Sequence, residues 1–156
     1  MPNSHEFYCG LEASQLLRDA GFTWICDSLY GTDFRYRGRQ IDEDEEYELK
    51  AAGKGHLIEK VLGGCVYCFN HHNDPKKDPY SWTRPSLSIA QRFILEKFQM
   101  HITIFSSSQE SWMYRITKPH QTLEEGLYGE DFPTFQAAQE AAIVRALKEH
   151  LANQAK

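Results

Sequence analysis

A helix and a strand that follow each other almost without a loop form the most ordered stretch of this chain, between Thr83 and Phe105. Ser86 comes just after Pro85, and its hydroxyl can accept a hydrogen bond from the free amides of a first helical turn. The following HITIF segment is rich in β-branched residues, which favour a strand. The predicted helix carries one apolar stripe: Leu87, Ala90, Phe93, Ile94 and Phe98. This unit predicts a helix that packs against a sheet.

Two further helices are predicted near the ends of the chain. The first covers residues 11–20, and Gly21 followed by Phe22 suits a Schellman ending in which Phe22 folds back onto Leu17. Its apolar side is predicted to carry Ala13, Leu16, Leu17 and Ala20. The last helix follows Thr134, a predicted N-cap. Its predicted buried stripe comprises Ala137, Ala141, Val144, Leu147 and Leu151.

The other apolar segments are predicted to form strands. A turn at Gly31-Thr32-Asp33 separates FTWICDSLY from FRYRG, and Gly63-Gly64 is a hairpin signal within HLIEKVLGGCVYCF. The segment EEYELKAA could begin as a helix or as a strand. Strands are preferred for residues 42–69, although LIEKVL also has helical character. After HITIF, the strand WMYRI is predicted to pair with it and to place Trp112, Tyr114 and Ile116 on one face. Residues 70–84 and 118–133 are predicted loops.

These elements predict one mixed α+β domain over residues 1–156, with a core between about 10 and 152. The expected architecture is a mainly antiparallel sheet of four to six strands. Two longer helices, the central and the C-terminal one, are expected to pack on it, and the N-terminal helix is short. The length of 156 residues and the apolar fraction of 41% suit a chain that buries a core.

The sequence contains no apolar run of membrane-spanning length, and its N-terminus has neither a basic nor an apolar region of the secretory kind. A cytoplasmic protein without a membrane partner is therefore expected. The formal net charge is −5, and acidic residues cluster in IDEDEEYELK, residues 41–50. Nucleic-acid binding is disfavoured, because it requires concentrated Lys and Arg.

Four residues are candidate zinc ligands: Cys65, Cys68, His71 and His72. Their number is sufficient for a tetrahedral site, but their spacing argues against one. In a strand, residues three apart point to opposite faces, and the glycines precede the first cysteine instead of following the second. Ordinary buried thiols in a reducing compartment are the preferred interpretation, and zinc stays open as the alternative.

Other catalytic patterns are not met. The chain has no G-x-S-x-G elbow around Ser106–Ser108, and Gly53-Lys54-Gly55 does not complete a phosphate loop. The acidic pairs Glu124–Glu125 and Glu130–Asp131 lie in predicted loop sequence, where solvated surface is the ordinary role. The sequence therefore predicts no catalytic residue and no cofactor other than the zinc alternative.

Five stretches of the chain carry a resemblance: GLEASQLLRDAGF, FRYRGRQIDEDEEYELKAAGKGHLIEKVLGG, RPSLSIAQRFILEKFQMHITI, SWMYRI and TFQAAQEAAIVRALKEHL. Together they resemble a group of small uncharacterised proteins of Bacteroides-type bacteria and of their phages and mobile elements. The chain departs from that group at residues 93–96, where it has Phe-Ile-Leu-Glu instead of WLRE. The resemblance covers most of the chain and implies one cytoplasmic domain. It implies no activity and no catalytic residues.

Three functions follow as hypotheses. The first is a non-enzymatic accessory or interaction protein, of phage or mobile-element origin, that binds another protein. The second is a zinc-binding domain that contacts nucleic acid, and the third is an enzyme of unrecognised class. An exposed strand edge would favour the first, because an open edge is a docking place for another chain, and Phe34–Arg37 is one candidate edge. Oligomeric state is left open.

Overall fold

The computed structural model describes residues 7–71, 73 and 81–156, and for residues 32 and 60–71 it describes the backbone only. The described part contains four helices and seven strands. In chain order they are α1 (Leu11–Asp19), β1 (Cys26–Tyr36), β2 (Arg39–Gln40), α2 (Glu43–Ala51), β3 (Glu59–His71), β4 (Trp82–Thr83), α3 (Leu87–Phe98), β5 (His101–Ser106), β6 (Trp112–Thr117), β7 (Leu127–Phe132) and α4 (Phe135–Gln154). The α+β prediction is confirmed.

The strands form two antiparallel sheets instead of the single sheet of four to six strands that was predicted. In the first sheet the central strand is β1, which pairs with β3 on one side and with the short strands β2 and β4. The second sheet has the order β5-β6-β7. The prediction of one sheet was wrong because no described strand between residues 26 and 83 pairs with a strand between residues 101 and 132.

Both predicted turns within the first sheet were wrong. β1 runs through Gly31, and β3 runs through Gly63 and Gly64. The register pairs Tyr30 with Cys65 and Thr32 with Leu62, so two glycines on β3 stand opposite the single Gly31. The extra residue on β3 makes this a β-bulge, and both strands continue through it in extended conformation.

The preference for strands over residues 42–69 was wrong for its first part, which is α2. Asp42 caps this helix, since its side chain accepts a hydrogen bond from the Glu45 amide at 2.8 Å. None of the residues of α2 is buried, so local capping and i,i+4 pairs such as Glu46–Lys50 hold it. A predicted loop at 118–133 was also wrong in its last part, which forms β7.

The helix ends follow the sequence signals closely. Gly21 has φ +87°, its amide donates to Arg18, and the Phe22 amide donates to Leu17 at 2.9 Å. This is the predicted Schellman ending. The hydroxyls of Ser86 and Thr134 accept from the amides three residues later, at 3.2 and 3.0 Å, and begin α3 and α4 as predicted.

The hydrophobic core joins α1, α3, α4 and the second sheet. Leu87, Ala90, Phe93 and Ile94 of α3 are buried, and Phe98 is half-buried. Phe93 contacts the rings of Phe22, Trp24 and Phe98 with centroid separations of 4.9, 5.4 and 5.4 Å. Tyr114 and Ile116 of β6 are buried on the face that meets the helices, which confirms the predicted face of that strand.

Of the predicted buried stripe of α4, Leu147 is buried; the other members are half-buried, namely Ala137, Ala141, Val144 and Leu151, and of these Ala141 and Val144 pack against the core. The buried residues are Ala138, Gln139, Ala142, Ile143, Ala146 and Leu147, so the helix is rotated by about one residue. Small residues occur on both sides of α4, so periodicity alone could not show which side is buried. The inward alanines allow close approach of α1 and α3, because short side chains at a crossing let the ridges of one helix enter the grooves of the next.

Candidate functional site

Three of the four predicted zinc ligands lie on one strand of the first sheet. Cys65, Cys68 and His71 belong to β3, with the Cys65 backbone opposite Tyr30 and that of His71 opposite Cys26. Their side chains, and His72 altogether, lie outside the described residues. Within the part of the chain that is described, no group of three His, Cys, Asp or Glu residues is arranged to hold a metal ion. The zinc alternative therefore stays a prediction.

The two cysteines with described side chains are buried. Burial raises the pKa of Cys9 well above its ordinary value, and the nearby Glu140 and Cys26 raise it further while Arg84 opposes them. Burial also raises the pKa of Cys26, to about 11. Since the thiolate is the reactive form, neither group is suited to act as a nucleophile at neutral pH.

A buried arginine fixes the segment that precedes α1. The guanidinium of Arg84 lies 4.4 Å from the ring centre of Tyr8 and 5.7 Å from that of Tyr30. Around it, the Cys9 amide donates to Pro85 at 2.9 Å and the Tyr30 hydroxyl donates to the Cys9 carbonyl at 3.1 Å. These contacts are consistent with a structural role, in which the arginine stacks on two aromatic rings.

The acidic pairs singled out in the sequence are exposed. Glu124 and Glu125 lie in a short 3-10 turn, and Glu130 and Asp131 lie in β7. The aromatic residues Trp112 and Tyr114 contribute to packing against α4 and β7, as their predicted core role requires.

A concavity with a volume of about 870 Å³ lies on the outer side of α4. Its floor is formed by residues that were predicted to be buried, Ala137, Ala141 and Val144, together with Phe132. Charged residues surround it, and Lys148 pairs with Glu12 at 2.7 Å. No cysteine, serine or histidine among the described residues lines this groove.

β5 is an edge strand of the second sheet, and one hydrogen bond shows which of its residues direct their backbone groups away from β6. The Ser107 amide donates to the carbonyl of Ser111, the residue opposite, at 3.1 Å. Directly opposed residues in an antiparallel pair alternate between bonded and non-bonded pairs. Phe105, Thr103 and His101 therefore bond to β6. The alternate residues Ile102, Ile104 and Ser106 direct their N–H and C=O groups away from β6.

Helix α3 stands along this outward edge. The Gln91 side chain donates through Nε2 to the Ile102 carbonyl at 2.9 Å, which agrees with the outward direction of that carbonyl. Gln139 of α4 donates to Gln91 Oε1, also at 2.9 Å, and so holds the Gln91 amide in place. From Thr103 to Ser106, the outward edge of β5 pairs with no segment within residues 7–71, 73 or 81–156.

A pocket of about 350 Å³ lies between α3 and the beginning of β5. Its lining is mixed: Ser88, Gln91, Arg92, Leu95, His101 and Ile102. Leu95 and Ile89 are each 39% exposed, although both are large and apolar. The pocket and the outward backbone groups of β5 together form one groove, which we call the β5 groove.

The opposite edge of the second sheet, at β7, is protected. At β7, Arg145 Nη1 donates to the Tyr128 carbonyl at 3.2 Å, and Asp131 has φ +63°, which interrupts a regular strand. The sequence left open whether Phe34–Arg37 is an exposed edge; Phe34, Arg35 and Tyr36 belong to β1, which is flanked by β2 and β3. The first sheet ends in β3, which pairs only with β1 among the described strands, so its outer edge has no strand partner within the described residues either.

Sequence reasoning missed the residues of the β5 groove. It treated Gln91 and Arg92 only as the polar side of α3. One available signal was that Ile89 and Leu95 lie outside the apolar stripe of this helix. The short connection from α3 to β5 was a second one, because a helix that returns directly into a strand lies close to it.

The chain matches no family model, no curated protein and no solved structure. Among the described helices, none has the length and apolar character that crossing a bilayer requires. The structure shows an α+β protein whose three-stranded sheet packs against α3 and α4.

Proposed function

We propose that this chain is a non-enzymatic interaction protein that binds an extended polypeptide segment by strand addition at β5. The observation that carries the proposal is the outward row of backbone groups at Ile104 and Ser106 beside α3. This row continues the edge from Ile102, whose carbonyl already accepts from Gln91. Exposed edges of this kind bind extended peptides, with main-chain hydrogen bonds supplying affinity and adjacent pockets supplying specificity.

A single strand fits this groove better than a second copy of the chain does. Antiparallel pairing of β5 with itself would place a twofold axis perpendicular to the sheet. Both copies would then have α3 on the same side of the joined sheet. Because Gln91 holds α3 along the outward edge, the two α3 helices would compete for the same space. A peptide without its own helix avoids this conflict.

The remaining hypotheses have less support. The described cavities hold no paired nucleophile and base, and the two described thiols have raised pKa values. The net charge of −5 and the acidic helix α2 oppose binding to phosphate backbones. Zinc at Cys65, Cys68, His71 and His72, a cytoplasmic location and a phage or mobile-element origin stay predictions.

Selection of peptides from a displayed random library tests strand addition without requiring that the natural partner be identified first. Peptides enriched on the wild-type protein are synthesised and titrated against Ser106→Pro, which removes one outward amide without touching the β5–β6 ladder. We expect binding to weaken about tenfold or more, since a hydrogen bond of about 1 kcal/mol is lost and the ring obstructs the edge. Thr122→Pro is the control, because Thr122 already has φ −74° and lies outside β5, at the start of the 3-10 turn before β7.

Amide exchange measured by NMR gives a signature specific to this mode. On peptide addition, the amides of Ile104 and Ser106 are expected to become protected, while those of Thr103 and Phe105 are protected already. An alternating gain of protection requires a new strand at the edge. The proposal is overturned if no peptide is enriched, or if enriched peptides bind Ser106→Pro as well as they bind the wild type.

A further inference from the structure

From the lining of the β5 groove we infer that the added strand carries an Asp or Glu side chain, which enters the pocket between α3 and β5 and binds Arg92. This inference rests on the proposed function. It assigns the pocket a ligand chemistry, a carboxylate on an extended peptide, and it assigns Arg92 the role of a specificity-determining residue.

The position of that side chain follows from the register. Residues directly opposite each other in a sheet lie on the same face. Ile102 is buried on the face that meets the helices. The residue of the added strand that pairs with Ile102, and that shares the Ile102 carbonyl with Gln91, therefore faces α3, and Ile102 itself lines the pocket. One defined position of the peptide thus reaches the pocket.

The charge of the pocket favours an acidic occupant. Arg92 lines it and carries the one fixed charge among the lining residues, while Ser88, Gln91 and His101 contribute polar groups. The nearest acidic partner is Glu96, whose Oε1 accepts from Arg92 Nε at 2.8 Å. That bond uses one donor of the guanidinium. No described residue accepts from the two terminal nitrogens, which form the fork that binds a carboxylate in bidentate geometry.

The apolar part of the lining suits the stem of the same side chain. Leu95 and Ile102 can contact the methylene groups of Glu or Asp while the carboxylate reaches Arg92. An aliphatic side chain would cover Leu95 equally well, but it would remove water from the exposed guanidinium without replacing the lost hydrogen bonds. The pocket is therefore expected to prefer an acid to an apolar residue of similar size.

The test compares matched peptides on matched proteins. A selected peptide is synthesised with Glu and with Gln at the position that pairs with Ile102, and both are titrated by calorimetry. We expect the Gln peptide to bind the wild type about tenfold more weakly, a difference of about 1.4 kcal/mol. On Arg92→Gln the two peptides should bind equally. Lys97→Gln removes a positive charge from α3 outside the pocket and should preserve the tenfold preference.

A gain in affinity separates this role from structural damage. Glu96→Gln removes the competing carboxylate from Arg92. The Glu peptide should therefore bind the Glu96→Gln protein more tightly than it binds the wild type. If the Glu and Gln peptides bind the wild type equally while the alternating amide protection persists, the carboxylate inference is wrong and strand addition stands. If neither peptide binds and no protection appears, the proposed function itself fails.

Discussion

Gly129 in β7 is predicted to be irreplaceable because the ring of Tyr114 occupies the space of its missing side chain. A Cβ atom at this position would lie 2.1 Å from Cε1, 2.4 Å from Cζ and 2.8 Å from the hydroxyl oxygen of Tyr114. Ordinary contacts between carbon atoms are about 3.5–4.0 Å, so the ring would have to retreat by about 1.5 Å. The reason is packing, because Gly129 does not have a positive φ.

The ring has little room to move. Tyr114 is 4% exposed, its ring lies 5.7 Å from that of Phe132, and Arg145 Nη1 donates to its hydroxyl at 3.5 Å. Overpacking a core costs about 1–3 kcal/mol. We expect Gly129→Ala to destabilise the protein by about 3 kcal/mol, at the upper end of that range. For a chain of this size the midpoint of thermal unfolding should fall by about 6–12 °C.

A double-mutant cycle measured by urea unfolding isolates the contact. Leu at position 114 keeps much of the buried apolar volume but lacks the three atoms that meet the new Cβ. In the Tyr114→Leu background, Gly129→Ala should therefore cost little, and the coupling energy should be about 3 kcal/mol. Gly21→Ala is the control. Gly21 has φ +87° and open space around it, so its cost is a backbone cost and should not change with residue 114.

Two outcomes would contradict this reasoning. One is a Gly129→Ala protein with wild-type stability, which would show that the ring yields freely. The other is an unchanged cost in the Tyr114→Leu background, which would place the penalty in the backbone instead of in the ring.

Two further predictions concern stability. Burial, and then the nearby Lys118, lower the pKa of His150, which stacks on Phe98 with ring centroids 3.6 Å apart. As the pH falls through about 6.5, the unfolded chain therefore binds a proton at His150 before the folded chain does. The free energy of unfolding, measured with urea, should fall more between pH 7.5 and 5.5 for the wild type than for His150→Phe. Parallel pH profiles of the two proteins would contradict this. Ser86→Ala and Thr134→Ala should each lower the free energy of unfolding by about 1 kcal/mol because a helix cap is lost. Thr122→Ala is the matched control, since the Thr122 side chain makes no capping hydrogen bond, and an equal loss in all three variants would contradict the prediction.

The local signals proved reliable where the interaction that they describe is itself local. Ser86, Thr134 and the Gly21-Phe22 pair each define a helix boundary through hydrogen bonds within a few residues. The stripe of α3 is also clear, because large apolar residues lie on one side of it. The wrong prediction at α2 also concerns a local signal. Asp42 is an N-cap, but the β-prone segments that follow it favoured a prediction of strands.

The arrangement of distant segments was not accessible in this way. Gly31, Gly63 and Gly64 have the composition of turns, and only the pairing of β1 with β3 makes them a bulge. The face of α4 that is buried depends on which elements surround it, because alanines occur on both sides. The same is true of the β5 groove, whose residues are ordinary polar and apolar side chains until α3 and β5 bring them together.

Chain order and short-range hydrogen bonding were thus enough to establish an α+β protein and the boundaries of its main helices. Which strands are left with open edges, and which pocket lies beside β5, depended on contacts between residues far apart in the chain. Side chains such as Gln91 and Gln139 are 48 positions apart, yet their hydrogen bond helps to hold α3 along β5. Such contacts form only when the core has assembled, and no periodicity in the sequence encodes them.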